Sequence, residues 1–489
     1  MPTPLFDQLL ASAEQARAPF HTPGHKLGRA IALHLRQAWG SAVFRADLPE
    51  LPELDNLYAA SGVLAESQAQ AAEVFGADRS WFLVNGSTGG LLAAILTVCG
   101  PGDRLLLPRN AHRSLLSGCI LSSAMPVWIT PPEAADFDLI GVPTPEQVAT
   151  ALAQDSQIKA VVLVSPTYEG VCADVAAIAA IAHHHGIPLI VDAAHGAHLG
   201  FHPDLPASPL SEGADLVVQS THKLLGALTQ AAMLHLKGDR IDPERLSQSL
   251  ALVQSSSPSY LLLASLEAAT EQMRVSGSEL LQTPITLARQ AHQQLAALPG
   301  LRLPAIAISD RPSFPEWDPT RLVINFQACG WSGFSADEYL HEQWQVTAEL
   351  PSLYNLVFHL SLGNQAADID RLVTACDRLL SQEHHEELPP RLPAWLEPEI
   401  VLSPRQAWFA RHQTVSLEQA IGAIAAECIC PYPPGIPVLL PGERISKSAV
   451  DYLRQVQATG GILSGCADPE LTTLRIVQDS DTLHASCPS

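Results

Sequence analysis

The chain has 489 residues, with 28 basic and 50 acidic side chains and a formal charge of −22. That length exceeds one ordinary core and predicts two or three domains, and the excess of acid argues against nucleic acid or an anionic membrane as a partner. Nine cysteines lie scattered, Cys428 and Cys430 forming only a C-x-C, so free thiols in a reducing compartment and no metal are expected. The start MPTPLFDQLLASAEQ has no basic region and no long apolar run, and no stretch approaches about 18 uninterrupted apolar residues. The expectation is a cytoplasmic chain without a membrane span.

Residues 1–60, rich in proline, read as an N-terminal arm with one helix near 5–15. A helix at 62–75 and a strand at 81–84 follow. The turn NGSTGG then leads into an apolar helix at 91–99. Next come a strand at 105–107, a helix at 114–122, and strands at 126–129 and 160–165. Asp174 is placed to cap a helix that runs to His185, with Gly186 as its stop. Strands at 188–192 and 216–219 come next, and 233–236 reads as an antiparallel neighbour of the latter. Strands alternating with helices predict an α/β fold with a mostly parallel sheet covered on both faces. A long helix at 259–298 leads out of this large domain, which spans 61–298. A small α/β domain (299–382), a polar, proline-rich linker (383–399) and a C-terminal α+β unit (400–489) complete the scheme.

In a parallel sheet, chemistry collects at the carboxyl ends of the strands. Five stretches fall there: NGSTGG, PRNAHRS, SPTYEG, DAAHGAH and QSTHK. Asp192 ends an apolar strand, where a carboxylate is costly to bury without a partner. Lys223, one of five lysines, follows another strand end beside Ser220 and His222; a crowded lysine there is a candidate nucleophile. Ser87, Thr88 and Gly89 open a helix, whose N–H groups and dipole suit an anion. His112 is placed to stack on a flat ring. Singly, each residue reads as readily as a cap, an ion pair or a surface group. Together, a phosphate site, an aromatic plate, a carboxylate and a lysine are the set that pyridoxal 5′-phosphate requires. Lys223 would carry the aldehyde and Asp192 would hold the pyridinium proton. Lys26, in HTPGHKLG, has no strand-end partner.

The stretches HTPGHKLG, LVNGSTGG, PRNAHRS, SPTYEGV, VDAAHGAHLGFH, QSTHKLLGALTQAAMLH, QSSSPSYLLLASLEAA and PYPPGIPVLLPGE resemble the ornithine/lysine/arginine decarboxylase family. They run from residue 21 to residue 443. The resemblance is to the short form of these fold type I (aspartate-aminotransferase-like) enzymes, without the extra N-terminal domain of the long members. It implies Lys223 as the Schiff-base lysine, Asp192 as partner of the ring nitrogen and His112 as the stacking residue. Ser87, Thr88, Gly89, Ala194, His195, Ser220 and His222 complete the cofactor contacts. It also implies subunits that pair as a homodimer or larger assembly. Two positions depart from the pattern: Ala193 stands where an acidic residue is common, and Gly422-Ala423 where Gly-Arg is.

The implied reaction is decarboxylation of a basic amino acid, with arginine ahead of lysine and ornithine. A carboxylate must then meet the distal cation, and Glu349, Glu427, Glu443 and Asp47 are the candidates. The alternatives are an aminotransferase or other lyase, with Arg321 clamping the substrate carboxylate, and a non-catalytic regulatory relative. His183, His184 and His185 end a helix and point in different directions, which disfavours a metal site.

Overall fold

A computed structural model describes residues 2–308, 310–384, 388, 399–432 and 436–478. Most of the segment read as a linker, and residues 433–435 of the PYPPGIP run, lie outside the described residues. The chain divides into two compact units, Met1–Thr97 with Pro188–Thr283, and Val98–Ile187 with Pro284–Ser489. The helix Tyr260–Ala296 runs from the first into the second, and the division falls at its internal Pro284.

In the first unit four strands lie in the order Arg79–Leu83, Ala232–Leu236, Leu216–Gln219, Leu189–Asp192. The last two carry LVVQ and LIVD, buried throughout, as strands covered on both faces require. Leu189–Asp192 and Leu216–Gln219 are parallel, with Asp192 opposite Val218. Ala232–Leu236 is antiparallel to both Leu216–Gln219 and Arg79–Leu83. Two reversals restore the direction, so Leu83, Asp192 and Gln219 all end at one edge.

Helices in this unit begin where a donor is satisfied. Pro4–Glu14 buries Leu5 and Leu9, and its first N–H groups, on Leu5 and Phe6, donate to the Glu267 carboxylate at 3.1 and 2.7 Å. Val63–Phe75 ends at Gly76, which takes the left-handed conformation at φ +72°.

The helix after NGSTGG is longer than the sequence suggests, Gly86–Val98 instead of 91–99. Its glycines are part of the helix because it lies close on the strands. A Cβ on Gly90 would sit 2.7 Å from Leu83 and 2.8 Å from Val218. Ser87 and Thr88 thereby fall in the first helical turn.

In the second unit the strand Arg104–Pro108 pairs in parallel with Met125–Ile129 on one side and Ile158–Val164 on the other. Asp174 accepts from Ala177 N–H at 3.0 Å and starts the helix Val175–His184. A three-stranded antiparallel sheet, Arg321–Asn325, Asn355–His359 and Leu350–Pro351, packs Leu322, Ile324, Leu356 and Phe358 into a core with helices Gly333–Trp344 and Ala366–Leu380. A further core joins the pair His412–Ser416/Thr473–Val477 to the helix Lys447–Ala458. Among the described residues no helix is long and apolar enough to cross a membrane.

Candidate active site

The edge formed by Leu83, Asp192 and Gln219 gathers most of the sequence-predicted set. Ser220 follows the strand Leu216–Gln219, and the single turn Thr221–Leu224 carries Lys223. Two backbone bonds tie that turn down: His222 N–H donates to Ala231 O at 3.1 Å, and Lys223 N–H to Ser220 O at 3.0 Å. The half-buried lysine has its Nζ 2.9 Å from His195 Nε2.

His195 is itself placed by the turn after Asp192. Ala193 N–H donates to Val218 O at 2.9 Å, and Gly196 N–H to Ala193 O at 2.8 Å. Ala193 is fully buried here. An acidic side chain at that position would need a partner to offset its desolvation, so the alanine suits its surroundings.

Asp192 is 3 % exposed and accepts one hydrogen bond among the described residues, from Ala194 N–H at 3.1 Å. Burial pushes its carboxyl up to about 6, opposed by the charge of Lys223 and by the Ala194 N–H. His222 goes the other way: burial, and then the charge of Lys223, lower its pKa and keep the ring neutral at neutral pH. A neutral imidazole still offers one N–H donor.

The third strand end supplies donors suited to an anion. Ser220 Oγ donates to Ser87 Oγ at 2.8 Å, joining the last two elements of the edge. Gly86, Ser87 and Thr88 open a 13-residue helix, so their N–H groups have no carbonyl four residues back to bond. Gly89 N–H already reaches Asn85 O at 3.3 Å. Thr221 was not among the predicted residues. Its hydroxyl is buried without a hydrogen-bond partner among the described residues. The signal for it was its place between Ser220 and His222. A buried carboxylate short of donors, an amine, and hydroxyl and N–H donors at a helix start are the chemistry that pyridoxal phosphate asks of a protein.

Each of the other candidates has its own local surroundings. His112 belongs to the second unit, where its Nδ1 accepts from Ser114 N–H at 3.3 Å and caps the helix Arg113–Ser122. Asp47, in the first unit, lies 3.1 Å from His25 Nε2. Glu349 is exposed. Glu427 is buried and accepts from Ala467 N–H at 2.9 Å and Arg475 N–H at 2.8 Å. Glu443 is buried against Arg109, 3.1 Å from Nη2, and takes Leu440 N–H at 3.0 Å. Arg321 is fully buried, 3.6 Å from Asp318. Lys26 donates to His21 O, and Lys447 is exposed beside Asp451. Among the described residues no group of three or more His, Cys, Asp or Glu side chains is placed to hold a metal.

The α/β fold is that of fold type I pyridoxal phosphate enzymes, and the donors at its strand edge suit that cofactor. A Francisella novicida lysine decarboxylase superposes with a TM-score of 0.83 over 97 % of this chain and 81 % of its own, at 22 % identity. The chain belongs to the Orn/Lys/Arg decarboxylase family: the model of that family's major domain matches residues 3–311 and that of its C-terminal domain residues 393–481. Proteins named arginine decarboxylase from Bacillus subtilis and Halalkalibacterium halodurans are 34 % and 36 % identical to it, each over 99 % of both chains. It is therefore a pyridoxal phosphate-dependent decarboxylase of a basic amino acid.

Proposed function

We propose that the chain decarboxylates arginine, giving carbon dioxide and the corresponding guanidino-amine, with Lys223 and Asp192 at the centre of the chemistry. The observation that carries the choice of arginine is the extent of similarity: the two relatives named arginine decarboxylase each align over 99 % of both chains.

The roles of the residues follow from their surroundings. Ser87, Ser220, His222 and the first N–H groups of the helix Gly86–Val98 would hold the phosphate. Thr221 Oγ1 adds a donor that has no partner among the described residues. Asp192 would face the ring nitrogen. Its carboxyl, held up to about 6 by burial, is ionised at neutral pH and regains through a protonated nitrogen the stabilisation that burial removed. Lys223 would carry the cofactor and, once released by substrate, hold a proton at Nζ. His195 Nε2, 2.9 Å away, fixes where that amine points. Bound pyridoxal phosphate supplies the electron sink for the pair left behind when the substrate carboxylate departs as carbon dioxide. The protein keeps that sink protonated through Asp192.

Among the candidate carboxylates, Glu427 has an N–H group on each oxygen, and Glu443 is buried with one oxygen held by Arg109 and the Leu440 N–H. Glu349 and Asp47, which solvent reaches, therefore lead as partners for the distal cation. A substrate panel tests the proposal: purified protein and cofactor are given arginine, lysine and ornithine separately, and the amine formed is identified. Agmatine from arginine, at the highest kcat/KM of the three, is expected. Cadaverine or putrescine as the preferred product would overturn it.

A further inference from the structure

Cys428 and Cys430 flank Ile429 where the strand Cys430–Tyr432 begins. Alternate residues of extended chain share a face, and the two Sγ atoms lie 3.6 Å apart. The backbone holds them there. Ile429 N–H donates to Leu439 O, and Ile429 O accepts from Val438 N–H, both at 2.9 Å. Ser464 Oγ donates to Cys430 O at 3.1 Å. Gly465 packs so close on Cys428 O that an added Cβ would come within 2.1 Å.

The pair differs from the other thiols in charge as well as position. Cys99 and Cys376 are pushed up to about 12 by burial. At the C-x-C, the thiols hydrogen-bond each other and both feel Arg109 and Arg113. One sulfur therefore gives up its proton easily and the other keeps it: the hydrogen bond from Cys428 holds Cys430 below its usual range, and Cys428 goes above. Cys430 is fully buried, whereas Cys428 is partly exposed beside Leu116, Ile120 and Leu440.

We propose that Cys428 and Cys430 form a thiol–disulfide exchange site, which closes to an intramolecular disulfide when it meets a low-molecular-weight disulfide. The pair reacts as a monoanion with one proton between two sulfurs. Cys428, which solvent reaches, attacks one sulfur of the disulfide RSSR as its proton passes along their hydrogen bond to the Cys430 thiolate. The S–S bond breaks and RS⁻ leaves. RS⁻ takes the Cys430 proton and departs as RSH. The Cys430 thiolate then attacks Cys428 Sγ, and the second RS⁻ is released. The two cysteines lose two electrons, the reagent gains them, and charge is conserved. The sulfurs must close from 3.6 Å to about 2.05 Å, the length of a disulfide. Closure removes the negative charge that Arg109 and Arg113 face. Arg109 also donates to the carbonyls of Pro437 and Val438 at 3.1 and 3.0 Å, and Arg113 opens the helix that His112 caps. The disulfide state would be read at both.

The test uses the full-length holoenzyme, glutathione disulfide at neutral pH, and alkylation of the remaining thiols before peptide mass mapping. The expected result is a peptide holding residues 428–430 that has lost two hydrogens, carries neither glutathione nor alkyl label, and recovers both labels after dithiothreitol. In Cys430→Ser, glutathione should stay on Cys428, with attack slowed by about tenfold because the thiolate that takes the Cys428 proton is gone. Two alkylated thiols at 428 and 430 in the treated wild type would overturn the proposal, as would a lasting glutathione adduct on Cys428 beside an alkylated Cys430. The wild-type map decides this even if the variant fails to fold.

Discussion

Asp192 in the first unit and Glu427 in the second are both buried carboxylates, and they are treated in opposite ways. Glu427 takes two backbone N–H groups, from Ala467 and Arg475, one on each oxygen, and so fastens two segments of the C-terminal unit. Glu443, nearby in sequence, lies between these extremes: Arg109 and the Leu440 N–H share one oxygen, while Oε1 is buried without a hydrogen-bond partner among the described residues. Asp192 has one N–H and a lysine charge, and burial lifts it to about 6. A carboxylate that holds a fold together is given its donors by the protein. One kept short of donors is open to a partner from outside the chain, and in the role proposed for Asp192 that partner is the protonated ring nitrogen of the cofactor.

Removing the central residue on each side should sharpen the contrast. Lys223→Ala should lower carbon dioxide release by about a thousandfold or more, with the fold intact by circular dichroism. Arg109→Ala should do the reverse. It leaves Glu443 buried without its cation, so it should cost on the order of 3–5 kcal/mol in denaturant unfolding, with little change in kcat per folded molecule. If Arg109→Ala abolished turnover in well-folded protein, the division between chemical and structural carboxylates would be wrong.

The pH dependence of stability is a subtler probe of the same contrast. The folded chain binds the Asp192 proton more tightly than the unfolded chain, whose carboxyl titrates near its usual value of 3.8. Protonated Asp192 costs nothing extra. Its ionisation in the fold loses stability as pH rises from about 4 through about 6. In cofactor-free protein, unfolding of Asp192→Asn compared with wild type should therefore shift by ~3 kcal/mol in the variant's favour between about pH 4 and pH 7. A flat difference would place Asp192 in contact with donors or solvent. The smallest expected effect is that of Ser220→Ala, which removes one donor from the phosphate site and should weaken cofactor retention by about tenfold. Spectral titration of the reconstituted protein would measure it.

The sequence carried the strand edges well because period and composition agree there. LIVD and LVVQ have no polar face to mislead, and Asp192 and Gln219 end their strands as expected. The antiparallel placement of 233–236 was equally legible. NGSTGG was less so, since glycines that read as a loop become helix when close packing on Leu83 and Val218 excludes any larger residue. The substrate carboxylates were the least legible. Nothing in TAELPS, AECIC or LPGER tells a surface glutamate from one wedged between N–H groups. That depends on which distant backbone, such as Arg475 or Ala467, the fold brings over it. Thr221 was missed for a related reason: its place between Ser220 and His222 pointed to it, but an orphaned hydroxyl is a property of the buried turn.

The most direct test of the role given to Lys223 is borohydride reduction of the reconstituted enzyme, followed by digestion and mass mapping. A single phosphopyridoxyl group is expected on the peptide that contains Lys223, and none in Lys223→Ala. A label on Lys26, or on none of the five lysines in a protein that still turns over, would contradict it.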